Sequence, residues 1–188
     1  MRKLNIFPAS SPIQQIRPER KGMTQKHRRY SLKTKESKQI LNQASEKLKT
    51  NLEAIFDAKA NLETVETDFG QLLLISGKPM LFKTGDRVLP TLLANEVLTQ
   101  LPKVVVDMGA IPHVCNGADV MAPGIVRFEG AFGKGDLVLV VDVKHGKPLA
   151  IGEILFDAQS VKDVKKGAVV KNIHYVGDEV WNFIKTLT

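Results

Sequence analysis

Residues 104–126, VVVDMGAIPHVCNGADVMAPGIV, decide the reading of the fold. Val104, Val105 and Val106 form a saturated β-run that ends on Asp107, and Gly109 lets the backbone turn sharply. A short helical segment leads to Asn116-Gly117-Ala118-Asp119-Val120-Met121, and Pro123-Gly124 restarts the sheet. Gly117 and Ala118 keep side chains out of the way. The order predicts a strand, an elbow with bare backbone N–H groups, and a shallow concavity open to something flat or anionic. Such a surface suggests recognition more than catalysis.

Downstream of Pro102, strands are expected over 103–107, 124–128, 136–143, 148–156 and 168–175, with glycine turns between them. A short helix over 158–165 interrupts them, and a last one runs from Asp178 through Trp181, read as a core plug in preference to a stacking platform, to Ile184. Short strands with glycine turns fit a compact barrel or sandwich. Upstream, the spacing of Ile40, Ala44, Leu48, Leu52 and Ile55–Phe56 predicts one helix over 34–57, capped by Thr34 or Ser31. Strands follow at 62–67, 71–76 and 80–83, then a second helix over 91–100 between Pro90 and Pro102. The fold class is α+β: a small α+β N-terminal domain over 23–100, then a β-rich domain over 102–188. Residues 1–22, with three prolines and no period, read as a flexible leader, and Met23 is an alternative start.

Charge is divided unevenly. Residues 1–50 hold 13 Lys/Arg against 3 Asp/Glu, whereas residues 51–188 hold 14 against 17. A basic N-terminal arm suits a polyanion, because each neutralised phosphate releases counterions; it also suits a merely solvated leader. Lys26, His27, Arg28 and Arg29 beside Tyr30 could grip phosphates and stack on a base, or form an exposed segment that aids solubility; RNA contact is the favoured reading. Lys144 and Lys147 make a basic hairpin tip, and Lys171 and His174 lie along an alternating strand. Either is ordinary surface, or a cationic margin beside the elbow. No apolar run approaches the roughly 20 residues needed to span a bilayer, and Pro8 breaks the short apolar start, so neither a membrane partner nor a secretory signal is expected. Cys115 is the single cysteine, which fits a reducing cytoplasm.

Catalytic and metal chemistry find little support. His113 and Cys115 supply two of the three or four ligands zinc needs, and His27, His145 and His174 are remote in sequence. No residue near Cys115 marks it as an activated nucleophile. Asp107 and Asp119 read as a strand end and a turn cap. Gly130–Asp136 lacks the spacing of a phosphate loop. No catalytic residue, metal or cofactor is expected.

The elbow motif, KGDLVLVVDVKHGKPLAIGEILFD (134–157) and KKGAVVKNIHYVGDEVW (165–181) resemble the PUA domain, an RNA-binding module of pseudouridine synthases and archaeosine transglycosylases. KHRRYSLKTKE (26–36) with GKPMLFKTGDRVLPTL (77–92) looks like the pre-PUA domain of MCT/ligatin-type translation factors and their archaeal relatives. The resemblance implies a PUA pseudobarrel packed on a pre-PUA domain. It implies binding of structured RNA, tRNA or rRNA, in translation or ribosome-associated work, with the ribosome or translation factors as further partners. RNA would meet the loop at Gly109 and Ala110, the segment of Gly117, Ala118, Asp119, Val120, Met121, Pro123 and Gly124, and the last barrel strand near Lys171 and His174. The alternative is an adaptor for an RNA-modifying enzyme or initiation factor, with Val120, Met121 and Ile125 facing the partner. An enzyme acting on RNA through Asp107, Cys115 or Asp119 is the weakest reading.

Overall fold

The computed structural model describes residues 27–56 and 61–187; the leader expected over 1–22, and Lys26, lie outside them. The N-terminal half opens with β1 (Arg29–Ser31), α1 (Thr34–Leu48) and α2 (Leu52–Ile55). Strands β2 (Leu62–Thr67), β3 (Gly70–Ile75), β4 (Lys78–Thr84) and β5 (Arg87–Pro90) follow. The five strands form an antiparallel meander in chain order.

The single helix expected over 34–57 is two. Lys49 takes a left-handed conformation (φ 51°), and N–H groups of Lys49 and Thr50 close back on the carbonyls of Glu46 and Ser45. The Asn51 side chain then accepts the Ala54 N–H at 3.2 Å and starts α2. Leu48, Leu52 and Phe56 stay buried across the break. Neither proposed cap serves α1: Ser31 belongs to β1 and Thr34 is the first helical residue. The helix expected over 91–100 shrinks to α3 (Asn95–Leu98). Thr91 stays tied to β4, donating its hydroxyl to the Pro79 carbonyl at 2.7 Å and its N–H to Met80 at 2.9 Å, so helix begins only after Ala94.

The C-terminal half contains β6 (Lys103–Val106), α4 (Ile111–Val114), β7 (Val120–Met121), β8 (Ile125–Glu129), β9 (Leu137–Asp142), β10 (Pro148–Ile154), β11 (Ala168–Tyr175) and α5 (Glu179–Lys185). Only one 3-10 turn, Val161–Asp163, forms in the helix expected over 158–165; Val161 is buried there while Lys162, Lys165 and Lys166 face solvent. The six-stranded sheet runs β7-β11-β10-β9-β6-β8, with β6 and β9 parallel and every other pair antiparallel. Its two outer strands, β7 and β8, are joined by the 3-10 turn Ala122–Gly124, and the Asp107 N–H donates to Gly124 at 2.9 Å. The sheet therefore curls back on itself into the expected pseudobarrel.

Strand alternation sorts the apolar residues into two cores. Val104 and Val106 of β6 and Val138 and Val140 of β9 fill the barrel. Val105, Leu137, Leu139, Val141 and Ile151 turn the other way and join Leu72, Leu81, Leu89 and Leu98 in a core shared by both halves. Buried on both faces, β9 shows a continuous apolar run. Exposed cations border this junction: Lys49 pairs with Asp136 at 2.7 Å and Arg87 with Glu153 at 2.8 Å.

Candidate nucleic-acid interface

Asp107 ends β6 and shapes the elbow, its Oδ1 accepting the Ala110 N–H at 2.8 Å. A Cβ at Gly109 would stand 3.2 Å from that oxygen, and one at Gly124 only 3.0 Å from the Ala110 Cβ. The two glycines thus allow the elbow to fold against the 3-10 turn. Helix α4 ends on Gly117 (φ 85°), where the Gly117 and Ala118 N–H groups donate to Val114 and His113 in a Schellman arrangement.

Strand β11 holds the elbow from below. The Asn172 amide donates to the carbonyls of Val114 and Ala118, both at 3.0 Å, and its N–H donates to Asp119 Oδ1 at 2.9 Å. Sequence reasoning did not single out Asn172, because its three partners lie 53 to 58 residues away. Above this floor is an open concavity of about 500 Å³, lined by Gly109, Ala110, Ala118, Val120, Pro123 and Gly124 and rimmed by Asp107, His113, Asp119 and Met121. Small residues keep it open. Its rim carries two carboxylates, each already accepting a backbone N–H.

The hairpin tip lies at the same end of the sheet, since Val106 stands beside Asp142 and the Val143 N–H donates to Val106 at 2.9 Å. The Asp142 carboxylate accepts the N–H groups of Lys144, His145 and Lys147 at 2.6–2.9 Å. The bond from His145, followed by those from Lys147 and Lys144, holds that carboxyl below its usual range against the desolvation that raises it. The side chains of Lys144 and Lys147 stand in solvent.

Other expected contacts fall elsewhere. His174 is fully buried: Nδ1 lies 2.6 Å from Asp178 Oδ2, and Nε2 accepts the Leu92 N–H at 3.2 Å. It joins the two halves and offers nothing to a ligand. Lys171 is exposed but stands opposite Glu153 on the sheet face turned away from the elbow, whereas Asn172 faces it. The Val120 side chain fills the barrel core, and Gly117 lies beneath the Tyr175 ring, where a Cβ would meet the hydroxyl at 2.8 Å. His27, Arg28 and Arg29 lie at the edge of the other sheet. There Arg29 pairs with Glu63 at 2.6 Å, Arg28 lies over the Tyr30 ring, and His27 packs edge-on against Phe183 of α5. Among the described residues, no three His, Cys, Asp or Glu side chains come together to hold a metal, and burial pushes the Cys115 thiol up, away from a reactive thiolate. No helix among them is long and apolar enough to cross a membrane.

Comparison with known proteins agrees with this architecture. The PUA domain family matches residues 102–176, and a family described as a domain of unknown function (DUF1947) matches residues 28–95. A Methanocaldococcus jannaschii protein, MJ1432, is 42% identical over 83% of this chain and 96% of its own length. Translation machinery-associated protein 20 of Saccharomyces cerevisiae is 32% identical over 73% of this chain and 80% of its own. The crystal structure of a hypothetical protein, PH0734.1, from Pyrococcus horikoshii superimposes with a TM-score of 0.71 at 34% identity, covering 84% of this chain and 99% of that one. With a pseudobarrel closed across Gly124, an N-terminal meander packed on it and relatives matched over 80–99% of their own length, the chain belongs to the family of PUA-domain proteins that includes Translation machinery-associated protein 20.

Proposed function

We propose that this protein binds structured RNA, tRNA or rRNA, through the elbow of its PUA domain, and that it works in translation or on the ribosome as a cytoplasmic binder without chemistry of its own. The observation that carries this is the open concavity of about 500 Å³ between α4 and the 3-10 turn, built from small residues and flanked by a basic hairpin tip. A flat base fits such a floor. The two carboxylates on the rim turn phosphates aside, toward cations such as Lys144 and Lys147. The family supports the reading, as does the name of the yeast relative, which ties that protein to the translation machinery.

Filter binding of a tRNA pool against heparin tests it. Folded RNA should be preferred at low salt. Ala118→Trp, which fills the concavity from an exposed position, should weaken RNA binding about tenfold or more, the worth of one stacked base, with the melting temperature unchanged. Equal binding of tRNA and heparin by the unaltered protein would refute the proposal. A second reading, docking of a protein partner, draws on the half-exposed Met108, Met121 and Val126, which are 49–51% accessible. Associations that survive RNase in a pull-down would favour it.

A further inference from the structure

A second groove, of about 360 Å³, lies on the far side of the 3-10 turn Ala122–Gly124, and Pro123 lines both it and the elbow concavity. Its floor is apolar, with Ile125, Val126, Val164 and Val169. Every charged residue lining it is basic: Arg127, Lys162 and Lys165. Glu129 fixes the Arg127 side chain by accepting from Nε at 2.8 Å, and the terminal guanidinium nitrogens carry no partner among the described residues. Lys165 bends back, its Nζ donating to the Lys162 carbonyl at 3.2 Å, so the two lysines crowd the same wall. All three side chains are exposed, and Lys166 adds a fourth exposed cation beside them.

We propose that this groove carries a phosphodiester segment of the same RNA strand whose base enters the elbow, the strand crossing Pro123. The inference rests on the RNA-binding reading and adds the direction in which the backbone leaves the concavity. Two observations support it. Asp107 and Asp119 make the elbow rim unfavourable for phosphates, so the phosphates flanking the bound base must run outside it, on one flank toward Lys144 and Lys147 and on another across Pro123. The neighbouring groove presents three cations without an acidic lining residue, one of them a guanidinium suited to bidentate phosphate contact.

The test measures the salt dependence of tRNA binding for four proteins: the unaltered chain, the triple variant Arg127→Gln/Lys162→Gln/Lys165→Gln, Ala118→Trp, and a charge-matched control, Lys33→Gln/Lys35→Gln/Lys38→Gln, on exposed positions of and beside α1. Three lost phosphate contacts should flatten the plot of log K against log salt by about 2. The control should flatten it much less. A groove variant that matches the control overturns the proposal and leaves the groove to some other anion, such as an acidic peptide. Heparin binding that falls as far as tRNA binding also overturns it, since the groove would then be a general polyanion patch. If Ala118→Trp binds tRNA like the unaltered chain while the groove variant still flattens the slope, the groove holds RNA and the elbow reading fails.

Discussion

Two residues of the elbow motif, adjacent in sequence, carry different burdens. Gly117 sits at φ 85°, and a side chain there would enter the Tyr175 ring, with the new Cβ 2.8 Å from its hydroxyl. Ala118 is exposed and lines the concavity. Both read in the sequence as spacers that keep a docking surface bare, and only Ala118 has that geometry. Gly117→Val should therefore destabilise the protein by about 2 kcal/mol or more, through backbone strain and overpacking together. Thermal unfolding is the direct check; a melting temperature equal to that of the unaltered chain would mean Tyr175 swings aside at no cost. His174 teaches a related point. Alternation along β11 is visible in the sequence, but what covers His174 comes from Leu92, 82 residues away. A polar residue on an alternating strand reads as solvent-facing unless its long-range partners are known.

Elements were legible wherever alternation or a cap was strong. The expected strands at 62–67, 71–76, 103–107, 136–143 and 168–175 agree with β2, β3, β6, β9 and β11 to within one residue at either end. Three short strands gave no signal: β1 is the polar triplet Arg-Tyr-Ser, β7 has two residues, and β5 has four and ends in proline. The helix over 34–57 failed differently. Its apolar stripe persists through the break, so periodicity is blind to the left-handed residue at Lys49. Turn chemistry is a better guide. The β3–β4 hairpin has a two-residue loop, Ser76-Gly77, both residues at positive φ (51° and 80°), with Ile75 opposite Lys78. Such loops favour Asn-Gly, because asparagine tolerates the left-handed region better than serine. Ser76→Asn should raise stability by about 0.5 kcal/mol, seen as a gain of roughly 1–2 °C in melting temperature for a chain this size. A loss would show that the strand register, rather than the turn, limits this hairpin.

At the scale of the molecule, the two halves matched by different families share one apolar core and a buried polar clasp. The Leu92 N–H from the N-terminal half donates to His174 Nε2, which assigns the ring proton to Nδ1 and directs it to Asp178. Asp178 also accepts the N–H groups of Tyr175 and Trp181, the latter capping α5. Desolvation pushes the Asp178 carboxyl up, but the hydrogen bond from His174, with the two backbone donors, outweighs it and holds the carboxyl below its ordinary value. A carboxyl lowered on folding contributes stability that is complete above its unfolded value of about 3.9 and disappears as pH falls through the folded value. Asp178→Asn keeps the helix cap but loses the charge. It should therefore cost about 1–3 kcal/mol at neutral pH, and the gap between variant and parent should close progressively below about pH 4. Asp136 and Asp142, also held low, titrate in the same region of both proteins, so only the difference between the two melting curves reports on Asp178. Because the clasp and the shared core bridge the halves, both should melt together. A gap that stays constant down to pH 2 would show that the Asp178 charge does not carry the clasp, and two separate transitions in the unaltered chain would show that the halves do not melt as one.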